Sequence, residues 1–261
     1  MAIKLNVLVD DRINIKEHGL SILIEFNDNK ILFDTGQTGQ YLTELERLGK
    51  KEADIDAVVV SHGHYDHANG MKYLENNLPV FIHKDALLPK YKRIGNSYKF
   101  NGVDLDAIEK NNNNFIFVKD GYEILPKISI VGDIKNEIHN HKFLLDRDSN
   151  FIDDFHDEIG LVIEEDDGLS VFLGCSHFGV ENALKKIKGI HHDKIIKNLV
   201  GGMHLIEKDS IEIIRLAKML KQKGIKRIYP LHCTGEEAIK VFKDIYQSDC
   251  EIIKSSETVI L

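Results

Sequence analysis

A run of mostly β-branched residues, Ala57 to Val60, leads directly into Ser61-His62-Gly63-His64-Tyr65-Asp66-His67. The run reads as a core strand. Three histidines and an aspartate fall within the six residues His62 to His67, so they sit at a strand's end, where side chains can converge on one point. His62 and His64 alternate, and extended backbone points them the same way. Asp66 and His67 follow where the chain bends toward a helix. Neutral imidazole nitrogen and carboxylate oxygen suit zinc and similar divalent ions. Burying such a cluster without a metal carries a heavy desolvation cost. The cluster therefore predicts a metal site.

The 261 residues fit one large α/β domain or two small ones. A hydrophobic content of 43% and a charged content of 29% are ordinary for a soluble globule. The net charge of -8 disfavours a nucleic-acid partner, because phosphate neutralisation needs a basic surface. A small anionic substrate stays open, since a metal supplies local positive charge. No stretch approaches the roughly 20 apolar residues of a membrane span, so no membrane role is expected. The segment Met1 to Val7 reads as a first strand and lacks the apolar region of a signal peptide. Three cysteines, an odd number, argue against a disulfide framework and point to a reducing, cytoplasmic location.

Along the chain, Ser21–Phe26, a turn at 27–30 and Ile31–Phe33 give a hairpin signal. Residues 38–48 carry helical apolar spacing and end at Gly49. A short helix over about 69–74 and a strand over 79–83 follow. Residues 84–157 are polar and irregular, with a run of asparagines at 111–114 and strands near 116–118 and 128–131. Such insertions are often lids or binding loops. From Ile159 the strand pattern resumes as a second hairpin that delivers Cys175 and His177. Helices are expected over 180–188, 209–223 and 236–246, and strands over 195–200, 226–231 and 258–261. The 209–223 helix reads as amphipathic, with Ile211, Ile214, Leu216, Ala217 and Leu220 among its apolar positions. The expectation is one domain over 1–261, with the insertion at about 84–157 as lid or substrate loop.

The His-x-His-x-Asp-His pattern resembles the signature of the metallo-β-lactamase fold superfamily. Ile31-Leu32-Phe33-Asp34-Thr35-Gly36 looks like that superfamily's first motif. Gly174-Cys175-Ser176-His177 and Pro230-Leu231-His232-Cys233-Thr234-Gly235 look like its later ligand loops. With Gly201-Gly202-Met203-His204-Leu205, these details are similar to a narrower branch, the dihydropterin-ribofuranosyl-aminobenzene-phosphate synthase group and its bacterial relatives. The resemblance implies an αββα sandwich: two mixed β-sheets packed face to face, helices outside, ligand loops along one edge. It implies that His62 and His64 serve one metal ion, that Asp66 and His67 serve a second, and that His232 closes the second set. Asp34 would hold the ligand loop by hydrogen bonds. The superfamily's usual bridging aspartate is replaced here by Cys175. The branch pattern favours His177 as the third ligand of the first ion, with His156 as the alternative. Cys175 is either a thiolate ligand or a small buried filler. His204, after two glycines on the same edge, is a candidate to touch metal, contact substrate or cap the next segment, and with Asp66 it is a candidate catalytic residue. His18, His83, His139, His141, His191 and His192 read as ordinary surface or core histidines.

The implied cofactor is two divalent metal ions, zinc first, with manganese or iron as alternatives. Two ions bridged by water generate hydroxide near neutral pH, and Asp66 can accept a proton from that water. The implied function is a metal-dependent hydrolase, or a pterin-pathway-like transferase, acting on a small anionic or phosphorylated substrate. The helix start at Thr234 and Gly235, together with Arg93 and its neighbours Lys90 and Lys92, is the expected anion site. The alternatives are a non-catalytic metal-dependent sensing protein and a di-iron redox protein. An intact ligand set speaks against the first. The second would place Glu where His64 stands.

Overall fold

The computed structural model describes residues 2–12, 17–74, 77–109, 114–135, 142–146, 148, 151–254 and 257–261. His139, His141 and residues 111–113 of the asparagine run lie outside the described residues.

Strands β1 (Lys4–Asp10), β2 (Leu20–Phe26) and β3 (Asn29–Phe33) form an antiparallel meander, with Ile22 opposite Phe33. Helix α1 (Gln40–Arg47) ends before Gly49, whose φ of 69° provides the left-handed turn that stops a helix. Then come β4 (Ala57–Val60), α2 (Tyr65–Ala68) and β5 (Pro79–Ile82). The expected helix over 69–74 starts earlier than its spacing suggests. Asp66 and His67 already lie in α2, and a 3-10 turn at Asn69–Tyr73 continues it.

Residues 84–157 are more ordered than their composition suggests. They contribute β6 (Tyr91–Ile94), β7 (Ser97–Phe100), α3 (Leu105–Glu109), β8 (Asn114–Phe117), β9 (Glu123–Leu125), β10 (Ile128–Val131), β11 (Phe143–Asp146) and β12 (Phe151–Ile152). The second half adds β13 (Gly160–Glu165), β14 (Gly168–Leu173), α4 (Val180–Ile190), β15 (Ile196–Gly201), α5 (Ser210–Gln222), β16 (Arg227–Pro230), α6 (Glu236–Tyr246) and β17 (Thr258–Ile260).

One sheet has the order β17-β1-β2-β3-β4-β5-β8 and the other β16-β15-β14-β13-β10-β9. β8 thus belongs to the first sheet, and β9 and β10 to the second. The remaining strands of the 84–157 segment pair among themselves as a third sheet, β12-β11-β6-β7.

Strand alternation sorts the apolar residues into three layers. Ile31, Phe33 and Val59 point between the two large sheets, where they meet Leu161, Phe172 and Val200. Leu32, Val58 and Val60 point the other way, onto Tyr41 and Leu45 of α1. Leu199 of β15 faces Leu184, Leu216 and Phe242 of the outer helices. The architecture is an αββα sandwich. A strand covered on both faces needs no polar alternation, which is why β4 reads as an unbroken apolar run. Each such side chain contributes about 1.5–3 kcal/mol by burial.

The apolar face of α5 differs from its expected one. Ile213, Leu216, Ala217 and Leu220 are buried, whereas Ile211 is 78% exposed and Ile214 also faces solvent. The buried set runs i, i+3, i+4, i+7, which is the stripe a helix presents to a sheet. Among the described residues no helix is long and apolar enough to cross a membrane.

Candidate metal centre

Both large sheets contain a block of parallel strands, β3-β4-β5 and β14-β15-β16. Parallel strands end together, and loops at their carboxyl ends form a natural crevice. Asp34 follows β3, and His62 and His64 follow β4. Cys175 and His177 follow β14, His204 follows β15 and His232 follows β16. Asp34, Ser176, His204 and His232 all have positive φ, at 58°, 63°, 46° and 45°. Non-glycine residues held there cost about 1–3 kcal/mol each, and such positions cluster at functional sites. Gly63 lies between the first two histidines because nothing larger fits. A Cβ there would meet the carbonyl oxygen of Ala86 at 1.9 Å.

The donors converge in two groups. His62 Nε2 and His64 Nδ1 are 3.1 Å apart, and ligand atoms of His62, His64 and His177 lie within 4.8 Å of one another. In the second group, Asp66 Oδ2 lies 3.4 Å from His232 Nε2 and 3.9 Å from His67 Nε2. Cys175 stands between the groups. Its Sγ is 3.1 Å from His67 Nε2, and it also shares donor clusters with His62, with His177 and His204, and with His232 and Cys233. All six expected ligands are buried.

Several observations suit a divalent cation here. His64 Nε2, His177 Nδ1 and His204 Nδ1 are buried without a hydrogen-bond partner among the described residues. His177 Nδ1 passes Glu158 Oε1 at 3.4 Å without hydrogen-bond geometry. Burial, then repulsion from neighbouring imidazoles, pushes His62, His64 and His177 well below the ordinary histidine value. That keeps them neutral, the form that coordinates metal. Burial also pushes the Cys175 thiol up, and a coordinated cation would reverse that. Asp66 differs. Burial alone would raise its pKa, but hydrogen bonds from His18 and His232 hold it well below the ordinary carboxylate value.

A layer of carboxylates orients these donors. Asp34 accepts from the Ser61 amide and hydroxyl, both at 2.7 Å, and from His67 Nδ1 at 2.6 Å. Asp11 Oδ1 lies 2.9 Å from His232 Nδ1. Asp157 accepts the Gly63 amide at 2.8 Å and pairs with the buried Lys90 at 2.9 Å. Lys90 also pairs with Asp153 at 2.8 Å. Glu158 accepts the amides of Ser176 and Phe178.

The other expected positions have different surroundings. His156 is half-exposed, 3.8 Å from Asp133 and against the His83 ring, outside the donor clusters. Thr234 and Gly235 are buried. The Thr234 hydroxyl donates to the Leu231 carbonyl and accepts the Met203 amide, and Gly235, not Thr234, caps α6. Arg93 sits on the face of β6 opposite Lys92, with its guanidinium against Tyr98. Lys92 is opposite Phe143 in the ladder, so these two share a face. The Phe143 ring lies 5.4 Å from His64 and 5.7 Å from His177. The third sheet therefore packs against the donors through Phe143. Lys90, expected at an anion site, is spent on its two aspartates. His18, which reads as an ordinary histidine in sequence, sits 3.2 Å from Asp66 Oδ2.

A cavity of about 470 Å³ opens beside the donors. His177, His204, Phe155 and Met203 are in its lining, with Lys208 and Arg215, which pair with Glu212 and Glu181 of the same lining at 3.1 and 3.6 Å. The His177 ring stacks on Phe155 at 4.1 Å and lies 4.5 Å from the His204 ring.

Residues 15–193 match the family model of the metallo-beta-lactamase superfamily. The chain is 31% identical to the 7,8-dihydropterin-6-methyl-4-(beta-D-ribofuranosyl)-aminobenzene-5'-phosphate synthase of Methanocaldococcus jannaschii, over 93% of this chain and 90% of that one. It is 34% identical to a second protein of the same organism, MJ0448, over 90% and 92% of the two chains. Among solved structures it is similar to Tm1679, a metal-dependent hydrolase of the beta-lactamase superfamily, with a TM-score of 0.85, 31% identity and 98% of each chain covered.

Proposed function

Because this chain belongs to the metallo-β-lactamase superfamily, we propose that it is a metal-dependent hydrolase with a two-ion centre acting on a small substrate. The observation behind this reading is the convergence of buried, carboxylate-oriented donors at the ends of both parallel strand blocks. His62, His64 and His177 would hold one ion, and Asp66, His67 and His232 the other. Cys175 would face both. Two such ions, when bound, supply Lewis acidity and an acidified water. A thiolate beside imidazoles favours zinc over manganese or magnesium, and iron is the next candidate. Asp66, held ionised and in a fixed orientation by its neighbours, would act as the proton acceptor. His204, which lines the cavity, would contact the group undergoing reaction. Phe143 and Phe155 would exclude water from above the site. The third sheet would then serve as the lid.

The cavity suits a small molecule with an apolar or aromatic body against Phe155 and Met203. An anionic end would meet Lys208 or Arg215 in competition with Glu212 and Glu181, which pair with them. The name of the M. jannaschii relative specifies a 5'-phosphate compound, which agrees with that end. The same relative supports a second reading, a condensation, because it is a synthase; fold alone does not choose between them.

Metal analysis of carefully prepared protein should give about two ions per chain. A panel of phosphodiesters, thioesters and lactones should reveal a chelator-sensitive hydrolysis. A panel without turnover, with a pterin-type condensation detected, would replace the hydrolase reading by the second. A metal content near zero after supplementation would end both.

The choice between His177 and His156 makes a separate prediction. His177→Ala should lose metal and activity, whereas His156→Ala should keep its metal. The reverse outcome would place the third ligand on the half-exposed histidine. A loss of only about 10–100-fold is the size expected of an orienting residue and would not identify a ligand.

A further inference from the structure

We propose that His18 is a ligand of the second metal position, alongside Asp66, His67 and His232. The inference rests on the two-ion reading and adds a donor to it.

Three imidazoles share one arrangement. His67 has its Nδ1 held by Asp34 at 2.6 Å, with Nε2 toward Asp66 Oδ2 at 3.9 Å. His232 has its Nδ1 held by Asp11 Oδ1 at 2.9 Å, with Nε2 toward Asp66 Oδ2 at 3.4 Å. His18 has its Nδ1 held by the other oxygen of the same Asp11, also at 2.9 Å, with Nε2 toward Asp66 Oδ2 at 3.2 Å. A carboxylate on one ring nitrogen, with the other turned to a shared point, is how proteins orient a metal-binding imidazole. His18 meets that description as fully as the two ligands expected from the motif.

The spacing agrees. Around a tetrahedral ion with bonds of about 2.0–2.2 Å, neighbouring donors are about 3.3–3.6 Å apart. The separations of 3.2, 3.4 and 3.9 Å from Asp66 Oδ2 bracket that value. The His18 and His232 rings lie 5.2 Å apart, close enough to face one ion.

Sequence-distant backbone is also committed to this approach. A Cβ on Gly19, whose φ is 142°, would meet the carbonyl oxygen of Asp66 at 2.2 Å. The Gly36 amide donates to the carbonyl of Leu20 at 2.9 Å, which ties the same segment to the Asp34 loop. Position 19 must be glycine for His18 to stand where it does. There is a chemical need as well. With Cys175 in the central position, the second set has a soft sulfur donor where a bridging aspartate would give a hard oxygen, and an extra imidazole adds a harder donor beside it.

His18→Ala is the direct test, because His18 is half-exposed and its truncation leaves the core intact. Zinc content after dialysis, chelator competition for the weaker ion, and the visible spectrum of the cobalt-loaded protein are measured on the full chain. The expected result is two ions in the unaltered protein. In His18→Ala the affinity of the weaker ion should fall at least tenfold, and the cobalt spectrum should change. Asp11→Asn, which disturbs the anchoring of both His18 and His232, should weaken binding of the same ion. Two ions held with unchanged affinity and spectrum in His18→Ala would overturn the assignment, whatever happens to turnover. Fewer than two ions in the unaltered protein would instead overturn the two-ion reading, and this position with it.

Discussion

An Asp34→Ala protein should bind its metals about 10–100-fold more weakly and unfold several degrees earlier. Asp34 is fully buried, and its carboxylate receives three donors: the Ser61 amide, the Ser61 hydroxyl and His67 Nδ1. Alanine leaves all three without a partner in a dry site, at about 1–3 kcal/mol for each that finds no substitute. Alanine must also adopt the φ of 58° found here, which costs roughly 1–2 kcal/mol for a residue with an ordinary Cβ. Asp34→Asn separates these effects. Asparagine tolerates the left-handed backbone, so the strain vanishes. Yet its amide nitrogen must face a donor whichever way it is turned. If it faces His67, the ring is driven to the other tautomer, with a proton on Nε2 where a metal would bind. The expected order of thermal stability is therefore wild type, Asp34→Asn, Asp34→Ala, measured on metal-free protein. Both variants should lose metal affinity. Retention of full affinity by Asp34→Asn would show that the carboxylate does not select the His67 tautomer.

The parts of this site that are legible in sequence are those written locally. His62 to His67 are contiguous and follow a strand, so alternation and a helical turn suffice to aim them. His177 lies two residues past Cys175 on a strand end of the same kind. The third dimension was hidden wherever a partner is remote. Asp11 meets His232 across 221 positions, and nothing in the local pattern around either residue announces the pair. His18 looks like a surface histidine because its neighbours are polar; only the fold brings it to Asp66. Lys90 looks like part of a basic cluster with Lys92 and Arg93, but the fold treats the three differently. Strand alternation sends Lys92 and Arg93 to opposite faces, and Lys90 goes inside to two aspartates 63 and 67 residues away. The α5 stripe failed for a related reason. Ile211, Ile213 and Ile214 are equally apolar, and the sheet beneath the helix decides which of them is covered.

Lys90 carries the second large prediction. Lys90→Met should destabilise the protein by about 3–5 kcal/mol, the usual cost of removing one partner from a buried ion pair. Methionine fills the space, so the loss reports charge and not a cavity. Asp153 and Asp157 would remain buried without their cation. Asp157 also accepts the Gly63 amide between His62 and His64, so the loop carrying the first donors should loosen and metal affinity should fall with stability. The pH dependence fixes the sign. Burial raises both carboxyls; Lys90 and the Gly63 amide hold Asp157 below the ordinary carboxylate value, whereas Asp153, with burial outweighing Lys90, stays above it, so Asp157 carries the pH-dependent stabilisation. A group depressed in the fold contributes stability above its unfolded value of about 3.9. That contribution is lost as pH falls through the lower folded value. In Lys90→Met the buried aspartates lose their cation and protonate more readily, so the gap between the two proteins should be widest near neutrality and should close progressively toward about pH 3. Urea unfolding of metal-free protein from pH 3 to pH 7 would measure it. A gap that stays constant across that range would mean that the methionine disturbs packing and that the triad does not act through charge.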